Sequence, residues 1–239
     1  MIEKDLGKIL ELLANAFWPM LKACIQVTIP LSIIAFICGS IVLALIVALM
    51  RLSKNVVLKA IARFYVWLIR GIPLLVLLFI IFYGLPTIGI VMKPFTSACV
   101  GLILSQGAYN SEVIRAAITA VPKGQWEAAH AVGMTRWQTL RFIVIPQAAL
   151  IAVPSVSSYF ISLTKDTSLC AVLTVREMFQ VARQMVATNF QPLWMYVEAG
   201  LLYLVLCTIL TLLQSNLEKS LGKHNAVAAA LSVGKKVSR

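Results

Sequence analysis

Five apolar stretches, each long enough to cross a hydrocarbon layer and set apart by basic loops, constrain this chain more than anything else in it. A helix needs about 20 predominantly apolar residues to span a bilayer. The stretches run over about 23–49, 61–83, 97–118, 142–163 and 193–213. Pro30 and Gly39 lie inside the first, whose length allows tilt or a kink. Arg70-Gly71-Ile72-Pro73 interrupts the second, the third is unusually polar, and the fourth carries Pro146 and Pro154. Charged residues make up 13% of the chain and hydrophobic ones 60%. A soluble domain carries about 25% charged residues and could not hide so much apolar surface. The expected fold class is all-α integral membrane, with five transmembrane helices.

The net charge of +12 does not point to nucleic acid. Basic residues sit mainly in the loops that flank apolar stretches, with no aromatic interleaving and no nucleic-acid motif. Arg51, Lys54, Lys59 and Arg63 lie between the first and second stretches without an acid. Lys123, Arg136 and Arg141 face Glu127 between the third and fourth, and the tail after the fifth is basic as well. On the other side, Lys4, Lys8 and Lys22 are balanced by Glu3, Asp5 and Glu11. The positive-inside rule then puts the N-terminus outside and the C-terminus in the cytoplasm. Cys24, Cys38, Cys99, Cys170 and Cys207 show no paired spacing and read as buried small hydrophobes rather than a disulfide framework or metal site. The start of the chain lacks the pattern of a cleavable signal.

Three regions follow. Residues 1–22 form an N-terminal amphipathic segment, with Leu6, Ile9, Leu10, Leu13 and Phe17 at helical spacing, expected along the outer membrane surface. Residues 23–221 form the transmembrane domain, with a cytoplasmic loop at about 122–142. Residues 222–239 form a basic tail expected to be mobile. The stretch at about 169–188, broken by Arg176, Glu177, Arg183 and Gln184, is expected as a helical connection at the outer face and not as a sixth span.

The loop between the third and fourth stretches is the most informative local pattern. Pro122 suits a first helical turn, and residues 125–132 contain helix formers. Gly133 can take the positive φ that stops a helix, and a second short helix from about Arg136 leads to Pro146 and back into lipid. A short helix-glycine-helix elbow is a stiff knob through which another protein can push.

The elbow's spacing is Glu127-Ala128-Ala129, three residues, Gly133, nine residues, then Ile143-Val144-Ile145-Pro146. It resembles the coupling-loop signature of ATP-binding-cassette importer permeases, with Ile145 where leucine is usual. The resemblance implies a MetI-like, type I permease fold and an elbow seated in a cleft of an ATPase subunit. Glu127 would then be the polar contact or loop-ordering residue, Ala128 and Ala129 would permit close approach, and Gly133 would make the turn. The chain contains no Gly-x-x-x-x-Gly-Lys-Ser/Thr phosphate loop. It is therefore read as a transport component and not an enzyme, without cofactor or metal of its own, ATP and Mg being bound by the partner ATPase.

Two polar groups interrupt the apolar sequence. In the third stretch Ser105, Tyr109 and Glu112 fall on one helical face, with Gln106 and Asn110 beside them. A carboxylate at a helix centre costs at least about 2.5–3.5 kcal/mol by insertion scales, so this face should line protein or water. It could meet solute, pair Glu112 with Arg115, or hold helices together. At the end of the fourth stretch, Thr164-Lys165-Asp166-Thr167-Ser168 could line a cavity or simply end a helix at the outer surface. Glu198 is a further acid within the fifth stretch.

The runs Arg70-Gly71-Ile72-Pro73-Leu74, Ala108-Tyr109-Asn110-Ser111-Glu112-Val113-Ile114-Arg115 and Lys165-Asp166-Thr167-Ser168-Leu169 are similar to the polar-amino-acid branch of these permeases. Together with the elbow the similarity covers about residues 20–220. It implies a bacterial inner-membrane permease that receives an amino acid from an extracytoplasmic binding protein and pairs with a second permease subunit, identical or homologous. The pathway candidates are Tyr109, Asn110, Glu112, Thr164, Asp166, Thr167 and Ser168. Glu112 and Asp166 could accept from an ammonium, and Asn110, Thr164, Thr167 and Ser168 could serve either end of the solute. A permease for another solute, such as methionine or a phosphonate, and an ion-coupled secondary transporter are the alternatives. The latter would be favoured by inverted repeats, which the sequence does not display.

Overall fold

A computed structural model describes the backbone of residues 2–237 and the side chains of residues 7–220, and among these residues the fold is helical throughout. The first span is part of a long rod. Helix α1 (Ile2–Ala23) passes through a wide π-turn (Cys24–Thr28) into α2 (Ile29–Ala35), a second π segment (Phe36–Leu43) and α3 (Ala44–Leu52). Gly7–Leu52 is one continuous helical run. The amphipathic segment expected to lie across the outer surface is instead the first part of this rod. Its inward face of Ala16, Met20 and Ala23 packs with Met178, Val181 and Met195. Pro30 lacks the N–H that an α-helix would use and its ring crowds the preceding turn, and the first π-turn lies directly before it.

Helix α4 (Val56–Gly71) starts at Asn55, whose Oδ1 accepts from the N–H of Val57 (2.8 Å) and Leu58 (3.3 Å). It stops before Ile72-Pro73, because the residue before a proline is pushed out of the helical region; Ile72 has ψ 133°. Helix α5 (Leu74–Phe79), a π-turn (Ile80–Gly84) and a 3-10 turn (Leu85–Ile88) then continue at 104° to α4. The interruption anticipated at Arg70–Pro73 is thus a sharp corner.

Helix α6 (Pro94–Ala120) occupies the centre. Ser97, Gly101, Ser105, Gly107, Ala108 and Ser111 are buried along it, and small residues let neighbouring backbones come close. A Cβ on Gly39 would lie 2.8 Å from the carbonyl oxygen of Ile103, so glycine is required where the rod crosses α6.

Helix α7 (Lys123–Ala131), α8 (Arg136–Gln138) and a π segment (Thr139–Val144) lead into α9 (Ile145–Asp166). A 3-10 segment (Thr167–Leu173), α10 (Met178–Asn189) and α11 (Pro192–Val237) complete the chain. The stretch at 169–188 is a helical connection, as expected. The backbone of the basic tail continues α11; its side chains, and residues 238–239 altogether, lie outside the described residues. Gly7–Leu52, Arg136–Leu173 and Pro192–Ser220 are each long and apolar enough to cross a membrane, and the bent pair α4–α5 qualifies when taken together. Helix α6, at 27 residues, is long enough but too polar to qualify on composition, in keeping with its central place.

Candidate functional site

The elbow is closed by its own backbone. Helix α7 ends where Gly133 takes φ +78°. The N–H of Met134 bonds the carbonyl of Ala129 (3.0 Å) and that of Gly133 bonds the carbonyl of His130 (3.0 Å), a Schellman termination. Thr135 then caps α8: its Oγ1 accepts from the N–H of Gln138 (3.3 Å), while Gln138 Oε1 accepts from the N–H of Thr135 (2.8 Å). Two contacts anchor this bend to the bundle. Trp126 packs on the cluster of Ala117, Ile118, Val121 and Val144. Gln147 Nε2 on α9 donates to Gln125 Oε1 (3.1 Å).

The outward side of the elbow holds Glu127, Ala128, Gly133 and, at the start of α9, Pro146, all exposed. Ala129 is buried, so of the two alanines only Ala128 is placed for close approach to a partner. Glu127 makes no hydrogen bond or ion pair among the described residues, so the bend is ordered by Gly133, Thr135 and Gln138 and not by this acid. Val132 (77% exposed), Trp137 and Phe142 are exposed apolar side chains of the same loop that the motif alone did not reveal. A groove of about 650 Å³ separates Trp126 and Trp137 from Leu49, Leu52 and Lys54 of the first rod and loop.

The polar face of α6 divides into three. Asn110 is fully buried and donates to Ser40 Oγ (3.1 Å) and Gln106 Oε1 (2.9 Å), while Ser40 donates to the same Gln106 oxygen (3.2 Å). This cluster joins α6 to the first rod and is closed to solute in a single subunit. Glu112 is held by two guanidiniums, Arg51 from the end of α3 and Arg115 one turn along α6, whose Nε lies 3.1 Å from Glu112 Oε1. Pairing with Arg115 was one of the readings open in the sequence; Arg51 was not foreseen. Tyr109 is half-buried, with the guanidinium carbon of Arg70 5.3 Å from its ring centre and the ring of Tyr159 on α9 6.3 Å away.

At the end of α9 the hydroxyls serve the backbone. Thr164 donates to the carbonyl of Phe160 (3.0 Å), Thr167 to that of Thr164 (2.8 Å) and Ser168 to that of Lys165 (2.7 Å). These bonds are the helix-ending arrangement, followed by the tighter 3-10 turns. Asp166 is half-buried and forms no ion pair among the described residues. The Thr167–Ser168 hydroxyls are therefore committed, whereas the Asp166 carboxylate is available.

One buried acid escaped the sequence reading. Glu177 is fully buried at the start of α10, where its oxygens accept from the N–H of Phe179 (2.8 Å) and Gln180 (2.5 Å) and from the hydroxyl of Tyr203 (2.7 Å). Burial pushes this carboxyl up to about 7, with the hydrogen bonds acting in the opposite direction. Glu198 is also buried, and its Oε2 has no partner among the described residues. The five cysteines are free; Cys24 and Cys170 are buried, whereas Cys38 is exposed.

Residues 40–223 match the family described as binding-protein-dependent transport system inner membrane component. The chain is 46% identical over 217 residues to the L-cystine transport system permease protein TcyB of Bacillus subtilis (strain 168), covering 90% of this chain and 92% of that relative. A crystal structure of an amino acid ABC transporter with histidines is similar at a TM-score of 0.76 and 30% identity, over 90% of this chain and 97% of that one. An inward-facing structure of the MetNI methionine ABC transporter shares the fold, with a TM-score of 0.64 at 19% identity over 90% of this chain and 98% of that one.

Proposed function

Since the chain belongs to the family of binding-protein-dependent transport system inner membrane components, we propose that it is the permease subunit of an ATP-driven importer for a polar amino acid. It is a membrane transport subunit and not an enzyme, and it works with a separate ATPase subunit and a solute-binding protein. The observation that carries the mechanism is the elbow: a bend held rigidly from within, with Glu127, Ala128, Val132 and Trp137 turned outward. Closure of two ATPase subunits around ATP and Mg draws paired elbows together. Trp126 and Gln147 pass that displacement to α6 and α9.

The elbow lies on the cytoplasmic side, with the N-terminus outside and the C-terminus inside, as the loop charges favour. A second permease subunit, identical or homologous, completes the pathway, because α6 and α9 of one chain cannot by themselves surround a solute. The half-exposed face bearing Tyr109 and Asp166 borders that pathway. The similarity to an L-cystine permease makes cystine the first solute to test. The experiment is reconstitution with the ATPase and binding protein, and uptake of labelled amino acids, L-cystine foremost, with and without ATP. Uptake by the chain alone in the absence of nucleotide would overturn the reading.

A further inference from the structure

We infer that the seam between the first rod and α9 binds one acidic phospholipid, with its phosphate beside the elbow and an acyl chain laid along the spans. Such a lipid is a structural ligand of the subunit and not its cargo, whatever solute the importer carries.

The headgroup end is the groove of about 650 Å³ at the elbow, which has three cations on its walls. Lys54 comes from the loop after α3, Lys123 from the start of α7 and Arg136 from the start of α8. All three are exposed and none has an ion-pair partner among the described residues. Among the same residues no acid lines the groove. Trp126 and Trp137 also border it, and tryptophan is favoured where hydrocarbon meets water. Basic pockets between membrane helices suit anionic headgroups. The guanidinium of Arg136 can meet two phosphate oxygens at once, and the lysines add point charges.

The chain end is a second cavity. A trough of about 410 Å³ is walled by the rod, α6 and α9 and has no charged side chain on its walls. Of its hydroxyls, that of Ser40 is already bonded to Gln106 and Asn110. Ile118 of α6 lines both cavities. Leu45 lines the trough while Leu49 and Leu52 line the groove, at i, i+4 and i+7 on one face of α3. The two cavities therefore follow one another along the same helix face. A basic pocket continued by an apolar trough inside the first span matches a phosphate that carries a chain. A free anion would leave the trough unused, and so would an acidic segment of a partner protein. Lipid tails are as apolar as leucine, so the trough fixes where the lipid lies and the cations select its charge.

The test uses the assembled permease–ATPase complex, stripped of lipid in neutral detergent. It is titrated with phosphatidylglycerol, phosphatidylcholine or glycerol phosphate, and bound mass is read by native mass spectrometry. One phosphatidylglycerol per copy of this chain is expected, with phosphatidylcholine bound about tenfold more weakly or worse. Lys54→Gln with Arg136→Gln should weaken phosphatidylglycerol about tenfold or more and remove its advantage over phosphatidylcholine. Ala149→Phe, on the exposed side of the trough, should weaken both lipids by blocking the chain. Copurification of the ATPase should be unchanged in both variants. Equal binding of the two lipids by the wild type overturns the inference, as does a preference that survives in the double variant. Wild-type lipid binding by Ala149→Phe overturns it too. Glycerol phosphate that competes as strongly as the whole lipid assigns the cations to a free anion and overturns it. Loss of the ATPase from the double variant does the same, by assigning Lys54 and Arg136 to the ATPase contact.

Discussion

The hydroxyl of Tyr203, on α11, donates a 2.7 Å hydrogen bond to the buried carboxyl of Glu177 at the start of α10. This bond joins the connection between α9 and α11 to the last span, and burial pushes the acid up to about 7. The folded-state value of about 7 lies above the ordinary 4.5, so the folded protein holds this proton more tightly than an unfolded chain does. The stability linked to it is complete below about pH 4.5 and is lost as pH rises through about 7. A shift of this size corresponds to roughly 3 kcal/mol. Thermal unfolding in detergent should therefore occur at a lower temperature at pH 8 than at pH 5. Glu177→Gln should flatten that dependence, and a flat wild-type profile would refute the coupling.

At Gly133 the demand is conformational and not steric, since a Cβ there would meet nothing within 4 Å while φ is +78°. A β-branched residue in that region costs about 1–2 kcal/mol. Gly133→Val should insert normally into membranes but lower ATP-driven uptake and ATPase copurification together. Gly133→Asn, which tolerates the left-handed region, should retain most of both. Full uptake by Gly133→Val would show that the bend is not the transmission element.

Gly39 poses the opposite problem, because its missing Cβ would press on the Ile103 carbonyl oxygen at 2.8 Å. Backbone cannot swing aside as a side chain can. Gly39→Val should destabilise the bundle by about 1–3 kcal/mol or more, read as a lower midpoint of thermal unfolding. At Gly107 the nearest atoms are the side chains of Leu43 and Tyr65, so Gly107→Ala should be the milder change.

Glu112 pairs with Arg51 and Arg115 at once. All three side chains are about a fifth to a third exposed, so screening limits each pair. A double-mutant cycle of Arg51→Gln and Glu112→Gln should give a coupling of about 1 kcal/mol. Additive effects of the two substitutions would mean that the contact contributes nothing to stability.

Among the described residues Asp166 has no ion-pair partner, whereas Thr164, Thr167 and Ser168 have already given their hydroxyl protons to backbone carbonyls. Asp166→Asn should alter the solute dependence of transport more than complex assembly. Equal solute dependence in the variant and the wild type would remove Asp166 from the pathway.

The elbow was readable in the sequence because each part of it is local. Pro122, Gly133 and Pro146 act through their own φ angles and missing donors, and the Thr135–Gln138 cap closes within four residues. The same holds for the corner at Ile72–Pro73, although only the structure gives its angle. What the sequence could not supply depends on distant neighbours. Arg51 meets Glu112 across 61 residues and Ser40 meets Asn110 across 70. Glu177 follows Arg176 in a stretch that mixes polar and apolar residues and shows nothing of its full burial. Ala129 reads like Ala128, yet one faces the bundle and the other faces water.

The continuous rod from Gly7 to Leu52 has a geometric consequence. At about 1.5 Å per residue its 46 residues reach about 69 Å, more than twice the roughly 30 Å of a lipid hydrocarbon core. Residues 23–50 are free of charge, and Lys22 and Arg51 mark their two ends about 44 Å apart. That separation matches the roughly 40–45 Å of a bilayer with its headgroups. The remainder, α1, continues past Lys22 and packs on α10 and α11, so the charge-free interval from Lys22 to Arg51, and not the length of the helix, is what matches a bilayer.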